Sequence, residues 1–262
     1  MQSHRVSLVA GLGLAVLLLS GCATAAPGST HRPAASASSS AAPSSAPSPT
    51  PTPPPPSFNK SALSIDDPNS IWVVVNKLRP LRPANYAPAV VLPSEPHIAQ
   101  PASSSMRPEA AAALQQMFAA GAAAGAGAMQ IQNAYRSYAV QVNTHNSQVA
   151  RLGQAKADIL SARPGYSEHQ TGLAVDVAAL PSKCDIEACF GQTPQGVWLA
   201  ANAYRFGFVL RYPADKQAVT GYVFEPWHFR YVGIPLATEM HNTGVTTLEE
   251  FFGLPAAPNY AP

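Results

Sequence analysis

One segment of the sequence combines a histidine and an aspartate that could do chemistry together. It spans Tyr166 to Val177 and reads YSEHQTGLAVDV. His169 lies in a turn rich in Ser, Gln and Gly, whereas Asp176 follows among apolar residues. A lone buried carboxylate is costly and is normally paired, hydrogen-bonded or bound to a metal ion. We therefore expect Asp176 to have a partner or to bind a metal.

A second segment, FEPWHFRY, supplies another histidine and another carboxylate. His228 lies three residues after Glu225, with Pro226 between them. Proline cannot donate to a strand ladder, so it predicts a sheet edge or a bulge at this point. A bulge would let Glu225 and His228 face the same cavity.

His169, Asp176 and His228 together form a set of two imidazoles and one carboxylate. Catalytic zinc sites commonly use three protein ligands and keep a fourth position for water. Glu225 would then be the general base, acting on a water that the metal acidifies. Mg²⁺ and Ca²⁺ fit poorly, because they prefer oxygen ligands throughout.

Two alternatives remain for these residues. Each histidine could be a core or surface residue, with Asp176 capping a turn. Non-haem Fe(II) uses the same ligand types. Its oxygenases typically have one residue between the first histidine and the carboxylate, whereas six separate His169 from Asp176. A glutamate base has no part in that chemistry.

Five segments with alternating or continuous apolar residues are predicted strands that position this set. In the segment GLAVDVAAL the alternation puts Asp176 on the face opposite Val175 and Val177. The segments are IWVVVN (71–76), MQIQNAYRS (129–137), GLAVDVAAL (172–180), FVLRYP (208–213) and GYVFEPWHFRYVG (221–233). The last two are expected to be antiparallel and joined by the hairpin-like connection ADKQAVT.

Four helices are predicted from apolar spacing and end signals. The first begins at Pro108, and the second runs from about Tyr138 to Ile159. The third, GVWLAANAYRF, ends at Gly207, and the fourth begins near a capping box of Thr246 and Glu249. Helices that flank a mainly antiparallel sheet indicate a single α+β domain.

The N-terminal part of the chain is predicted to direct export. Residues 1–21 combine Arg5 with a short apolar run and read as a signal peptide. LSGC, which ends at Cys22, resembles the lipobox of bacterial lipoproteins, in which the cysteine is lipidated; the alternative is an ordinary signal peptide with a chance cysteine. Residues 22–57 are rich in Ala, Ser and Pro and are predicted to be a disordered spacer. The folded domain is expected to span 58–262.

Charge and cysteine content narrow the function classes further. The formal charge of +2 is accounted for by Arg5 and Arg32, so the folded part is nearly neutral. This argues against nucleic acid as a partner, because backbone binding needs a basic footprint. Cys184 and Cys189 are expected to form a local disulfide in an exported chain, the alternative being two free thiols.

Several motifs together resemble the VanY-type D-alanyl-D-alanine carboxypeptidases. YSEHQTGLAVDV is similar to the family's S-x-H-x-x-G-x-A-x-D motif, and EPWHFRYVG to its E-P-W-H motif. AYRSYAVQ resembles the G-Y-R-S-x-x-x-Q segment, with Ala134 where the family often has Gly. FGFVLRYP is similar to the block before the last motif. The resemblance covers roughly 72–233.

The resemblance implies a zinc enzyme with the fold shared by lysostaphin-like enzymes and the hedgehog signalling domain. It implies that His169, Asp176 and His228 bind one zinc ion and that Glu225 is the base. It also assigns substrate binding to Arg136, Ser167 and Gln141, with Arg136 stabilising the developing oxyanion. A guanidinium fork suits this task, because it can bind a terminal carboxylate bidentately.

The predicted function is a zinc carboxypeptidase that removes terminal D-alanine from peptidoglycan stem peptides. The expected location is the bacterial cell envelope, with a lipid on Cys22 holding the protein at the outer face of the cytoplasmic membrane. An alternative is an L,D-carboxypeptidase acting on tetrapeptide stems. A different class is a non-catalytic, zinc-stabilised module that binds the cell wall. The motifs carry no information on oligomeric state.

Overall fold

A five-stranded sheet forms the centre of the fold in a computed structural model that describes residues 57–94, 97–98 and 103–261. The strands lie in the order β1-β2-β3-β5-β4. They are β1 (His97–Ile98), β2 (Ala128–Asn133), β3 (Ala174–Leu180), β4 (Phe208–Leu210) and β5 (His228–Tyr231). The first pair is parallel and the other three are antiparallel, so the predicted mainly antiparallel sheet is confirmed.

Strand β3 lies in the middle of the sheet and joins the two segments that could do chemistry. Val175 and Val177 point into the main hydrophobic core, as the alternation predicts. Asp176 therefore points to the other face, where the β3–β5 register places it directly opposite His228. Side chains directly opposite each other on one face of an antiparallel pair are close enough to interact.

Helices flank the sheet, and those among the described residues are α1 (Pro108–Ala123), α2 (Tyr138–Leu152), α3 (Gln154–Asp158), α4 (Pro194–Asn202), α5 (Gln217–Thr220), α6 (Ile234–Thr243) and α7 (Leu248–Phe252). The predicted start at Pro108 is confirmed. The helix predicted over 138–159 is interrupted at Gly153, whose φ of +79° does not fit a helix. A 3-10 turn continues from α4 to Phe206, and Gly207 ends it in the left-handed region, as predicted.

The strand predicted at 71–76 is wrong. Trp72 to Asn76 are buried, yet this stretch forms only an isolated bridge between Asn76 and Arg79. Its backbone groups bond elsewhere: the guanidinium of Arg230 donates to the carbonyls of Ile71 and Val73. An apolar run is buried here without joining the sheet, because side chains satisfy its carbonyls.

The last predicted strand and its connection also need correction. The strand begins at His228 and not at 221, and Pro226 lies in a turn closed by the His228 N–H donating to the Glu225 carbonyl at 3.0 Å. The turn, and no bulge, brings Glu225 and His228 to one side. The connection ADKQAVT contains the short helix α5, so it is no simple hairpin.

Near the C-terminus, the predicted capping box is shifted by one residue. The Thr247 hydroxyl accepts from the Glu250 N–H and donates to its carboxylate, where Thr246 and Glu249 were predicted. Glu249 is instead buried. Helix α6, which follows β5, was not predicted.

Cys184 and Cys189 are joined by a disulfide, as predicted. None of the helices in 57–94, 97–98 and 103–261 is long and apolar enough to cross a membrane. The predicted signal peptide, Cys22 and almost all of the predicted spacer lie outside the described residues.

Candidate active site

His169, Asp176 and His228 converge at one end of β3. His169 lies on the 3-10 turn Glu168–Thr171 just before that strand, and the other two face each other across β3 and β5. One ligand atom from each of the three lies within 4.8 Å of the others. The Asp176 carboxylate is 3.2 Å from His169 Nε2 and 3.0 Å from His228 Nδ1. All three side chains are buried.

Hydrogen bonds orient both imidazole rings toward this aspartate. Nδ1 of His169 lies 2.6 Å from the Ala134 carbonyl, which can only accept, so Nδ1 carries the proton and Nε2 is left as a ligand atom. Nε2 of His228 lies 3.4 Å from the Glu168 carboxylate, which turns Nδ1 toward Asp176. Metal-binding histidines almost always donate their second N–H to a carbonyl or carboxylate in this way.

The charges around the set favour a cation. Burial lowers the pKa of His228, but hydrogen bonds to Asp176 and Glu168 outweigh it and raise that pKa to about 9. Burial raises the pKa of the Asp176 carboxyl, but His169 and His228 more than offset it and hold the pKa well below its usual range. Two imidazole nitrogens and one ionised carboxylate are the donor set of many three-ligand zinc sites. The residues present therefore fit one zinc ion.

Glu168 was missed by the sequence analysis, although it precedes His169 directly. Its Oε1 accepts from Arg211 Nε at 2.8 Å and from Arg230 Nη1 at 2.9 Å. Arg211 also donates to both oxygens of Glu249 at 2.9 and 2.7 Å. Burial raises the pKa of Glu168, but the two guanidinium groups outweigh it and lower that pKa strongly. The sequence did contain a signal for this buried ion pairing, because the predicted strand segments FVLRYP and HFRYVG each place one arginine among apolar residues.

Glu225 stands beside the set and not between its members. Its carboxylate is 3.9 Å from His228 Nδ1. Burial raises the pKa of Glu225 to about 8, and the negative charge of Asp176 adds to this against the lowering effect of His228. A nearby divalent cation would lower that pKa again. A carboxyl group tuned toward neutral pH is suited to accept and return a proton.

Arg136 and Gln141 form a hydrogen-bonded pair next to His169. The Arg136 N–H donates to the His169 carbonyl at 3.2 Å, and its Nη1 donates to Gln141 Oε1 at 2.9 Å. Gln141 is fully buried, and its Nε2 donates to the Ala162 carbonyl at 2.6 Å. The contacts of Gln141 are thus those of a residue that orients Arg136. Its predicted contact with substrate stays a prediction.

The candidate ligands, Glu225 and Arg136 line a cavity of about 200 Å³. Arg136, Ser167 and Glu225 contribute polar surface to it, and Trp227 lies beside them. Two aliphatic residues, Leu160 and Ile186, also line it. The structure therefore brings the predicted ligands, base, arginine and serine to one cavity.

Comparison with known proteins identifies the family. A family model described as VanY, D-alanyl-D-alanine carboxypeptidase, matches residues 103–234. The chain belongs to this family. This VanY-family chain is 38% identical over 192 residues to the putative carboxypeptidase YodJ of Bacillus subtilis, covering 72% of this chain and 69% of the relative. It is 47% identical over 98 residues to a D-alanyl-D-alanine carboxypeptidase of Enterococcus faecalis, covering 37% of this chain and 34% of that relative.

Solved structures resemble the VanY-family chain along most of their length. The LdcB LD-carboxypeptidase matches with a TM-score of 0.65 and 38% identity, over 71% of this chain and 87% of LdcB. VanYB in complex with D-alanine-D-alanine matches with a TM-score of 0.58 and 34% identity, over 70% and 97%. A mutant of the D,D-pentapeptidase VanY in complex with Zn(II) has the same TM-score and identity, over 70% and 98%. These matches confirm the α+β fold that the motifs imply.

We predict that Glu168→Gln weakens both the fold and metal binding. An amide in place of the carboxylate leaves Arg211 and Arg230 short of negative charge, and breaking a buried ion pair costs about 3–5 kcal/mol. The variant also loses the charged acceptor of His228 Nε2, and such changes reduce metal affinity about 10–100-fold. Urea denaturation measures the first effect and zinc competition with a chelator the second.

The matched control is Glu239→Gln, which changes a partly exposed carboxylate on α6. It should leave unfolding and zinc affinity as in the wild type. A Glu168→Gln protein that unfolds more easily but binds zinc with unchanged affinity would contradict a role for Glu168 in orienting His228.

Proposed function

We propose that this chain is a zinc carboxypeptidase that removes the terminal D-alanine from peptidoglycan stem peptides. The observation that carries the proposal is the convergence of the His169, Asp176 and His228 set with Glu225 and Arg136 around one cavity. The family relationship supports the reaction class, and the neighbours described as complexes with Zn(II) and with D-alanine-D-alanine support the metal and the substrate.

In this proposal His169, Asp176 and His228 hold the zinc ion. When bound, such an ion acts as a Lewis acid that polarises a carbonyl and makes water more acidic. The Glu225 carboxylate accepts a proton from the attacking water and returns it to the leaving amine nitrogen. The alternative of a non-catalytic zinc module gives no role to a buried carboxylate 3.9 Å from His228 Nδ1, or to the Arg136 guanidinium at the wall of the same cavity.

Arg136 recognises the free carboxylate that defines a carboxypeptidase substrate. Gln141 holds Nη1 of the guanidinium, which fixes the plane of the group at the cavity wall. A planar guanidinium offers further N–H groups in a fork that matches a carboxylate. Ser167 lines the same cavity and is proposed to bond the peptide backbone of the substrate.

A second candidate is cleavage of D-alanine from tetrapeptide stems, an L,D-carboxypeptidase activity. The likeness to LdcB, described as an LD-carboxypeptidase, supports it. So does a 36% identical structure of DacB, described as an L,D-carboxypeptidase. Both reactions release the same terminal residue and use the same metal, base and arginine. D-alanine release from defined pentapeptides and tetrapeptides separates them.

We predict that Glu225→Gln abolishes most turnover while leaving zinc bound. The amide keeps the size of the side chain but cannot take a proton, and positioned general-base catalysis is worth about 10²–10⁴ in rate. His228→Ala should lower zinc content as well as activity, because it removes a ligand. Zinc stoichiometry and D-alanine release are measured for the wild type and both variants. Wild-type rates in Glu225→Gln would overturn the mechanism.

We predict that Arg136→Lys retains only part of the activity of the wild type and that Arg136→Ala retains less. Lysine keeps the charge but loses the bidentate fork. Zinc content should stay unchanged in both variants, because Arg136 is not among the candidate ligands. The measurement is kcat/KM on a peptide with a free terminal carboxylate. Normal kcat/KM in Arg136→Ala would exclude the role.

The proposal also places the protein in the cell envelope, exported by residues 1–21, with a lipid on Cys22 and residues 22–57 as a spacer for the domain 58–262. The support is the LSGC sequence and a substrate that lies outside the cytoplasm. We predict that the wild type partitions with membranes and that Cys22→Ser is released or left unprocessed. Fractionation and mass spectrometry test this, and a soluble wild type with unmodified Cys22 would refute it.

A further inference from the structure

The disulfide loop of residues 184–189 brings an aliphatic side chain to the edge of the substrate cavity. Ile186, in the middle of this loop, lines the cavity and is 42% exposed. Leu160, from the segment after α3, also lines it and is 43% exposed. Charged and polar groups form the catalytic part of the same cavity, so these two side chains give it an apolar margin that the proposed chemistry does not use.

The backbone of this loop is held in an unusual conformation. Cys184 and Ile186 have φ values of 59° and 56°, in the left-handed region. A β-branched residue is rarely found there, and such conformations persist only when the surroundings impose them. The loop is closed by the Cys184–Cys189 disulfide, Cys184 packs against the main core, and Phe190 directly after the loop is buried in that core. Both ends of the loop are thus fixed.

The segment directly after the loop is packed against the turn that carries the proposed base. Gly191, two residues after Cys189, lies so close to Pro226 that an added Cβ would be 3.1 Å from the Pro226 Cβ. Pro226 follows Glu225 directly. The segment after the disulfide loop therefore contacts the turn that carries Glu225, and Ile186 and Glu225 line the same cavity.

We propose that Ile186, together with Leu160, forms an aliphatic subsite for the acyl part of the substrate, on the amino side of the scissile bond. This rests on the proposed function. Arg136 holds the terminal carboxylate, and the residue that leaves carries only a methyl side chain. The long part of the peptide must follow the remaining walls of the cavity. The class of ligand that fits these walls is a residue with an extended alkyl side chain, such as lysine, upstream of the terminal D-alanine residues.

The test compares two peptides that end in the same D-alanine residues and differ in one residue upstream, lysine or alanine. The wild type should cleave the lysine peptide with the higher kcat/KM. Ile186→Asn should reduce this preference about tenfold, the worth of burying roughly two methylene groups. The loss should appear in KM for the lysine peptide and should be clearly smaller for the alanine peptide. Asparagine tolerates a positive φ, so the loop conformation is kept while the aliphatic surface is removed.

Two further variants sharpen the test. Val197→Asn alters an exposed aliphatic residue on α4, away from the cavity, and should leave the preference unchanged. Replacing Cys184 and Cys189 together by serine frees the loop and should reduce the preference as Ile186→Asn does. Circular dichroism and zinc content show that each variant is folded and loaded.

A wild type without preference between the peptides would overturn the proposal, as would an Ile186→Asn protein with the wild-type ratio. Equal losses on both peptides would also overturn it, since they would indicate a general effect on the active site. Release of D-alanine from neither peptide by the wild type would instead refute the proposed function on which the inference rests.

Discussion

Glu168 is fully buried between Arg211 and Arg230, and the arrangement of the site depends on this contact. Glu249 completes the cluster by pairing with Arg211, so two carboxylates balance two guanidinium groups. Buried charges are costly unless each is paired and hydrogen-bonded, so the cluster is favourable only as a whole. It joins the 3-10 turn before β3, the residue directly after β4, strand β5 and helix α7, which are far apart in the sequence.

As a consequence, the groups that orient the candidate metal ligands are themselves fixed by the charge cluster or by the backbone. The second oxygen of Glu168 faces His228, while His169, the next residue along, is held by the Ala134 carbonyl. Asp176 is set by the pairing of β3 with β5. The candidate ligands therefore rest on regular elements and a buried charge cluster, which is the rigidity that a metal site requires.

Asp176, a member of the metal set, and Glu225, beside it, differ in environment, and this difference separates their roles. Burial acts on both, but His169 and His228 lower the pKa of Asp176 enough to keep it ionised. Glu225 is stabilised less as an anion, so burial prevails and its pKa rises to about 8. Carboxylates whose environments push their pKa values apart can take different roles: the one that stays ionised suits a metal ligand, and the other suits proton transfer. Farther out, the disulfide loop shapes the cavity margin with Ile186, independently of this electrostatic pattern.

The sequence by itself determined the features that depend on residues close together along the chain. Alternation over β3 predicted the face on which Asp176 lies, and the motifs predicted which histidines would join it. The same kind of local pattern failed at 71–76, where an apolar run was buried without becoming a strand. The contacts of Glu168 with Arg211 and Arg230 also could not be predicted from the sequence, because the two arginines are 43 and 62 positions further along the chain. Periodicity reports the local preference of the backbone, whereas the partner of a buried charge or carbonyl is chosen by the tertiary structure.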